Sequence, residues 1–329
     1  MLRIVLIGAG NHSESVHGPA LAHYRDRHPG QAELAAVCDL RAERARLFCE
    51  KFGFARAYTD MDQMLEAERP GACWVVVPIE ATREVAGRVM ERGVPVIFEK
   101  PPGRDLAEAQ ALAELSRRTG TPNMVAFNRR WAPSTRQALS WAREHGPFDL
   151  IHARMLRVDR RDEQFAFGTG IHLLDCVRAL GAAAFGGMRW ARGQRLRAAS
   201  GALNFLVEIE FESGGRARCD ILPTCGMLEE SYTLYGRGRS ISSELPWKAW
   251  PDIEVPGSAT LWGEGKAEES HTYPADPMHL SAGFYGEAAE FIAALAEGRR
   301  PSPSAEEAVE SVALAEAVQE GREIRFAGG

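Results

Sequence analysis

The chain has 329 residues, 45% of them hydrophobic and 26% charged, with a formal net charge of −6. That length holds two domains of ordinary size, and the composition is that of a packed protein rather than a disordered one. No basic run marks a nucleic-acid footprint and no uncharged apolar run reaches a membrane span, so neither nucleic acid nor a membrane is expected as a partner.

The N-terminal "IVLI" is broken at once by glycine and has no small-residue cleavage site after it, so it reads as a first β-strand and not as a secretory leader. A helical stretch follows and ends near "HPG" (28–30). "ELAAVCD" (33–39) is the next strand, and "RAERARLFCEKFG" (41–53) a helix closed by glycine. "ACWVVVP" (72–78) is a nearly unbroken apolar run, "TREVAGRVMERG" (82–93) a helix, and "VPVIFEKP" (94–101) another strand. "DLAEAQALAELSRRTG" (105–120) is a helix with Asp105 as its cap and Gly120 just past its end, and "NMVAFN" (123–128) closes the sheet. Continuous apolar strands alternating with helices predict a parallel sheet buried on both faces, an α/β doubly wound Rossmann domain over 1–122.

The remainder, 123–329, reads as a second, α+β domain. "FDLIHARMLRV" (148–158), "LNFLVEIEFESGGRARCDIL" (203–222) and "SYTLYGRGRSISSEL" (231–245) look like strands joined by turns, with "SGG" as a hairpin signal. No parallel crossover is visible there, so an open, mostly antiparallel sheet is expected. "PGSATLWGEGKAEES" (256–270) is rich in Gly and Ser and reads as a surface loop. Two amphipathic helices, "YGEAAEFIAALAEG" and "SAEEAVESVALAEAVQEG", end the chain. The six cysteines (38, 49, 73, 176, 219, 225) show neither C-x-x-C nor paired metal spacing, so no metal site is expected and reduced thiols in a cytoplasmic protein fit best.

The first chemical signal is "IGAGNHSESVHGPAL" (7–21). A strand precedes it and a helix follows, as a dinucleotide loop requires. Gly8 supplies a tight turn and Gly10 leaves room for a pyrophosphate beside the helix N-terminus. Ser13 stands where a third glycine is usual. Pro19 lacks an N–H, so the regular helix is expected to begin no earlier than about Val16, leaving a long loop whose Asn11, His12, Ser13 and Ser15 offer polar groups to phosphate. Asp39 ends the second strand, where a carboxylate accepts hydrogen bonds from both ribose hydroxyls and repels a 2′-phosphate. NAD is therefore favoured, while Arg41 and Arg44 nearby leave NADP open.

The second signal is "VIFEKPPG" (96–103). Lys100 is pinned between a buried strand and two prolines, at the strand end where ligands bind in such sheets. There its charge favours loss of a proton from a substrate hydroxyl. With "VLIGAG", "VCD" (37–39), "AYTDMDQML" (57–65), "VVVP" (75–78), "VAFNRRWAP" (125–133), "IHLLD" (171–175) and the tail from "EAAEFIAAL", the chain resembles the glucose–fructose oxidoreductase / inositol dehydrogenase / MocA family over nearly its whole length.

The resemblance implies a Rossmann domain followed by an α/β domain whose open sheet carries substrate on one face. It also implies a nicotinamide cofactor, a sugar, cyclitol or related polyol as substrate, and a homodimer or homotetramer. It carries over Lys100 as the active-site lysine and His172 as the catalytic histidine. Pro78 and Glu99 join the cofactor contacts. Asn128 and Arg129 fall where members contact substrate, and Asp175 either supports its helix or orients the histidine ring. One of Arg129 and Arg130 often braces a domain interface.

Members that oxidise sugars commonly carry an aspartate four residues before the histidine; here that position is Gly168, with Asp159 and Asp162 as nearby substitutes. Thr82 replaces another common histidine. An NAD(P)-dependent dehydrogenase is the leading reading. NAD-assisted elimination or glycoside cleavage without net redox change and a non-catalytic nucleotide-binding regulator are the alternatives. Specificity is expected in 157–170 and 225–275.

Overall fold

The computed structural model describes residues 1–249 and 253–326. In chain order its elements are β1 (Leu2–Ile7), α1 (Gly18–Arg27), β2 (Ala32–Cys38), α2 (Ala42–Phe52), β3 (Arg56–Tyr58), α3 (Met61–Glu68), β4 (Ala72–Val75), α4 (Ile79–Glu91), β5 (Val96–Glu99), α5 (Leu106–Thr119) and β6 (Asn123–Ala126). There follow α6 (Pro133–Glu144), β7 (Phe148–Leu156), α7 (Ile171–Phe185), β8 (Met188–Arg197), β9 (Leu203–Phe211), β10 (Arg216–Leu222), β11 (Glu229–Gly236), β12 (Arg239–Glu244), β13 (Trp247–Ala249) and β14 (Ile253–Val255). The last are β15 (Gly257–Gly263), β16 (Lys266–Tyr273), α8 (Met278–Ser281), α9 (Phe284–Ala296), α10 (Ala305–Glu320) and β17 (Glu323–Arg325).

Two compact units divide the chain, one formed by 1–127 with 284–309 and the other by 128–283 with 310–329. The division expected at 122/123 falls inside the first sheet, because β6 pairs in parallel with β5. The chain also returns to this unit. Trp74, buried in β4, meets Phe291 of α9 edge-on at 5.3 Å. The Val125 N–H donates to Pro303 O at 2.8 Å, and Ala305 N–H to Asn123 Oδ1 at 2.8 Å. Burying large apolar groups stabilises by about 1.5–3 kcal/mol each, enough to hold a segment so distant in sequence.

The first sheet runs β3-β2-β1-β4-β5-β6 and every pair is parallel. Its order reverses between β1 and β4, so the loops after those strands diverge and leave a crevice at their carboxyl ends. The helix ends follow the expected chemistry. Asp105 caps α5 by accepting from Glu108 N–H at 2.9 Å, and Gly53 and Gly120 close α2 and α5 in the left-handed conformation.

The second unit is built on a nine-stranded sheet, β16-β15-β12-β11-β7-β10-β9-β8-β17. It is mostly antiparallel, as expected, with β7 and β10 pairing in parallel through a crossover that the sequence did not reveal. The connection is the long one through α7, β8 and β9. The presumed surface loop at 256–270 is instead the β15–β16 hairpin. Its Gly and Ser content hid a period of two: Ala259 and Leu261 are buried, and Ser and Thr suit the alternate positions. The expected specificity region 225–275 is consequently mostly sheet.

Beneath this sheet α7 is buried along most of its length. Asp175 is fully buried, and Arg130 grips it with a fork, Nε to Oδ2 at 2.5 Å and Nη2 to Oδ1 at 2.6 Å, while Ser311 Oγ donates to Oδ1 at 2.7 Å. Removing the guanidinium strands a buried carboxylate. Arg130→Met is expected to destabilise the protein by about 3–5 kcal/mol, and the double change with Asp175→Leu to recover most of that loss, both read by chemical denaturation.

Candidate functional site

The glycine loop is held from three sides. Gly8 has φ +99, a conformation side chains avoid, and a Cβ there would stand 2.1 Å from Val76 O. Its N–H donates to Cys38 O at 2.8 Å, and its carbonyl accepts from the Ser13 hydroxyl. A Cβ on Gly10 would meet no atom within 4 Å, so that side of the loop is open to a close-approaching ligand. Asp39 accepts from Ala9 N–H through Oδ2 and from Arg41 N–H through Oδ1, each at 2.9 Å. These bonds aim the carboxylate at the loop and leave lone pairs on both oxygens.

The helix begins directly after Gly10, at Asn11, and not near Val16. Residues Ser13–His17 form a π turn in which Gly18 N–H reaches back to Ser13 O. The hydrogen-bond register shifts there by one residue, and Pro19 sits where that shift leaves its missing N–H unneeded. Ser13 is fully buried with its hydroxyl committed to Gly8, so it locks the loop and does not face a phosphate. Close packing falls to Gly18, where a Cβ would stand 2.6 Å from the Phe52 ring. Asn11 and His12 are exposed on the first turn, where backbone N–H groups favour an anion.

Pro78 caps α4 after β4, and Thr82 is buried with its hydroxyl donating to Pro78 O at 3.3 Å. Glu99 is the last residue of β5 and Lys100 follows it. His12 Nε2 lies 3.2 Å and His17 Nε2 2.7 Å from Glu99 Oε1, with Phe284 packed edge-on against both rings. Chain spacing could not reveal this trio, since His17 and Glu99 are 82 residues apart. The one sequence signal was that a buried histidine needs a polar partner. Burial favours a neutral His17 and lowers its pKa. Burial opposes ionisation of Glu99, but the hydrogen bonds from His12 and His17 outweigh it and hold the carboxyl well below its ordinary range. We therefore assign an ionised Glu99 accepting N–H from a neutral His17.

Gly8, Gly10, Asn11, His12, Asp39, Pro78, Glu99 and Lys100 thus all lie at the carboxyl ends of β1, β2, β4 and β5. Residues 2–127 match the model of the GFO_IDH_MocA oxidoreductase family, described as an NAD-binding Rossmann fold. That match lies within the first unit. A dinucleotide fits the residues present: an open approach over Gly10, helix N–H groups beyond it, and a carboxylate with spare lone pairs at Asp39.

The chain is 33% identical to D-glucoside 3-dehydrogenase of Escherichia coli over 41% of its own length and 37% of that protein. It is 32% identical to D-apiose dehydrogenase of Paraburkholderia graminis over 45% of its length and 43% of that protein. The match therefore spans less than half of either relative. A structure of levoglucosan dehydrogenase in complex with NADH superimposes with a TM-score of 0.78 over 100% of both chains at 18% identity, which establishes a shared fold.

In the second unit, His172 is buried near the start of α7. Asp175 is held by Arg130 and Ser311. Asn128 is buried with its amide donating to Ala282 O at 2.7 Å. Gly168 lies in a second π turn, Ala166–Gly170, and a Cβ there would meet no atom within 4 Å. Asp159 and Asp162 do not stand in for the missing carboxylate in any buried position; both are exposed and paired with Arg161 and Arg160. All six cysteines are free thiols, and burial pushes Cys38 and Cys49 up to about 11. Among the described residues no helix is long and apolar enough to cross a membrane.

Depressed pKa values in the folded state mean that the unfolded chain binds more protons on acidification. His17 should therefore withdraw stability as pH falls below its ordinary value of about 6.5, and Glu99 further down, below the usual carboxylate range. The melting temperature is expected to fall between about pH 7.5 and 5.5, and His17→Gln, which keeps an N–H donor but does not titrate, to flatten that slope. An unchanged slope contradicts the assignment.

Proposed function

We infer that the protein is an NAD(H)-dependent dehydrogenase acting on a hydroxyl of a sugar, cyclitol or related polyol. The observation that carries this reading is the gathering of the Gly8–Gly10 loop, Asp39 and Lys100 at the carboxyl ends of neighbouring parallel strands, beside the point where strand order reverses. The family match of residues 2–127 and the dehydrogenase names of the relatives support it.

When bound, the nicotinamide supplies the hydride acceptor. The chain supplies the rest. Asp39 takes the ribose hydroxyls and disfavours a 2′-phosphate, so NAD is preferred to NADP. Helix N–H groups after Gly10 face the pyrophosphate. Lys100 donates to the reacting hydroxyl and stabilises the alkoxide as it forms, and His172 accepts the proton. Glu99, ionised and held by His12 and His17, also accepts from the Lys100 backbone N–H and fixes the chain where Lys100 begins.

Gly168 favours carrying one second reading. With no carboxylate at that position, transient oxidation coupled to elimination or glycoside cleavage is the alternative, and its products distinguish it: cleavage without accumulating NADH.

Purified protein with NAD⁺ is expected to form NADH on at least one member of a sugar, cyclitol and polyol panel. Lys100→Met should lower kcat/KM by about 100-fold or more while NADH binding and melting temperature hold. Turnover that survives this change removes Lys100 from the chemistry.

A further inference from the structure

Within the second unit, Arg129 and Arg157 converge on one carboxylate. Arg157, almost fully buried, donates through Nη1 to Leu156 O at 3.0 Å and Glu229 O at 2.9 Å, and through Nη2 to Glu230 Oε2 at 2.5 Å. Its hydrogen-bonding is well supplied. Glu230 is buried too, and also accepts from the Tyr232 hydroxyl at 3.0 Å.

Arg129 is different. Its side chain is 14% exposed, and its nearest carboxylate oxygen is Glu230 Oε1, 3.5 Å from Nε. Its buried Nε has no hydrogen-bond partner, and among the described residues its guanidinium donates no hydrogen bond. The Trp247 ring lies 4.3 Å from the Arg157 guanidinium and 5.4 Å from that of Arg129, and the buried Trp247 Nε1 also lacks a partner.

Two guanidinium charges thus share one carboxylate, and two orphaned donors stand in the same cluster. Buried donors are nearly always satisfied, and a nearly buried charge is nearly always paired. Among the described residues, what is missing is one acceptor with one negative charge. The planar fork of an arginine suits a carboxylate bidentately.

The cluster also touches the helix of His172. The Tyr232 hydroxyl contacts the Cys176 thiol, and Cys176 is one turn beyond His172 on the same face of α7. We propose that Arg129, backed by Arg157 and Trp247, binds a carboxylate of the substrate, so that the polyol oxidised is a polyhydroxy acid, an aldonate or uronate in class. This rests on the dehydrogenase reading for the reaction but not for the binding. Arg129 is the specificity-determining residue and Arg157 positions it by holding Glu230.

The test compares acids with matched neutral compounds: D-gluconate with D-glucitol, and D-galacturonate with D-galactose. Binding to the NADH-loaded protein is followed by calorimetry, and turnover by NADH formation. The wild type is expected to favour the acid of each pair at least tenfold. Arg129→Met should cut that acid-to-neutral ratio at least tenfold, with a melting temperature close to that of the wild type since among the described residues the Arg129 guanidinium donates no hydrogen bond, and Arg129→Lys should restore only part. Neutral compounds bound as well as the acids, no acid bound, or a ratio unmoved by Arg129→Met each overturns the proposal. Oxidation of neutral compounds alone would overturn it while upholding the dehydrogenase. Acid-selective binding without NADH formation on any compound would uphold the subsite and sink the dehydrogenase.

Discussion

Gly8 is the point on which the nucleotide end of the molecule depends. Its positive φ and its contact with Val76 O exclude every side chain, and its two backbone groups are spent on Cys38 and Ser13. Those bonds bring the end of β1 against the ends of β2 and β4. Asp39 then reaches the next residue's N–H, and the helix that starts at Asn11 takes its direction from the same turn. Any residue but glycine at position 8 would push this loop off β4 and with it the open approach over Gly10.

Charge is handled differently in the two units. In the first, ionised Glu99 accepts from neutral His17, so the pair carries its negative charge beside the Lys100 backbone. In the second, Asp175 is neutralised outright by the Arg130 fork, which serves the fold. Among the described residues the neighbouring Arg129–Arg157–Glu230 group is not neutralised and retains one positive charge. A buried charge left over after the protein's own pairs are counted points outward, to a ligand.

Much of the first unit was legible because its signals are local. Buried parallel strands read as apolar runs, Asp105 and Gly120 bracket α5 by cap chemistry, and the glycine loop lies between a strand and a helix. The π turn was not legible: a proline announces that helical bonding is interrupted, but not whether the chain answers with a loop or with a shifted register. Likewise Gly- and Ser-rich composition concealed the β15–β16 hairpin, because strand formation there follows from pairing with β12 and not from local propensity. The return of 284–309 to the first unit depends on contacts such as Trp74 with Phe291, which no local pattern encodes. Lys100 stood out by its place between a buried strand and two prolines, whereas His172 stood out only through family resemblance; the Glu230 cluster, made of residues far apart along the chain, was not visible at all.

The central claim is that the Gly8–Gly10 loop and Asp39 form an NAD site. Calorimetric titration of NADH and NADPH into the purified protein, repeated with Asp39→Ala, tests it most directly. NADH binding tighter than NADPH, with the preference lost in the variant, is the predicted result. Equal or tighter NADPH binding, or a preference indifferent to Asp39, would contradict it.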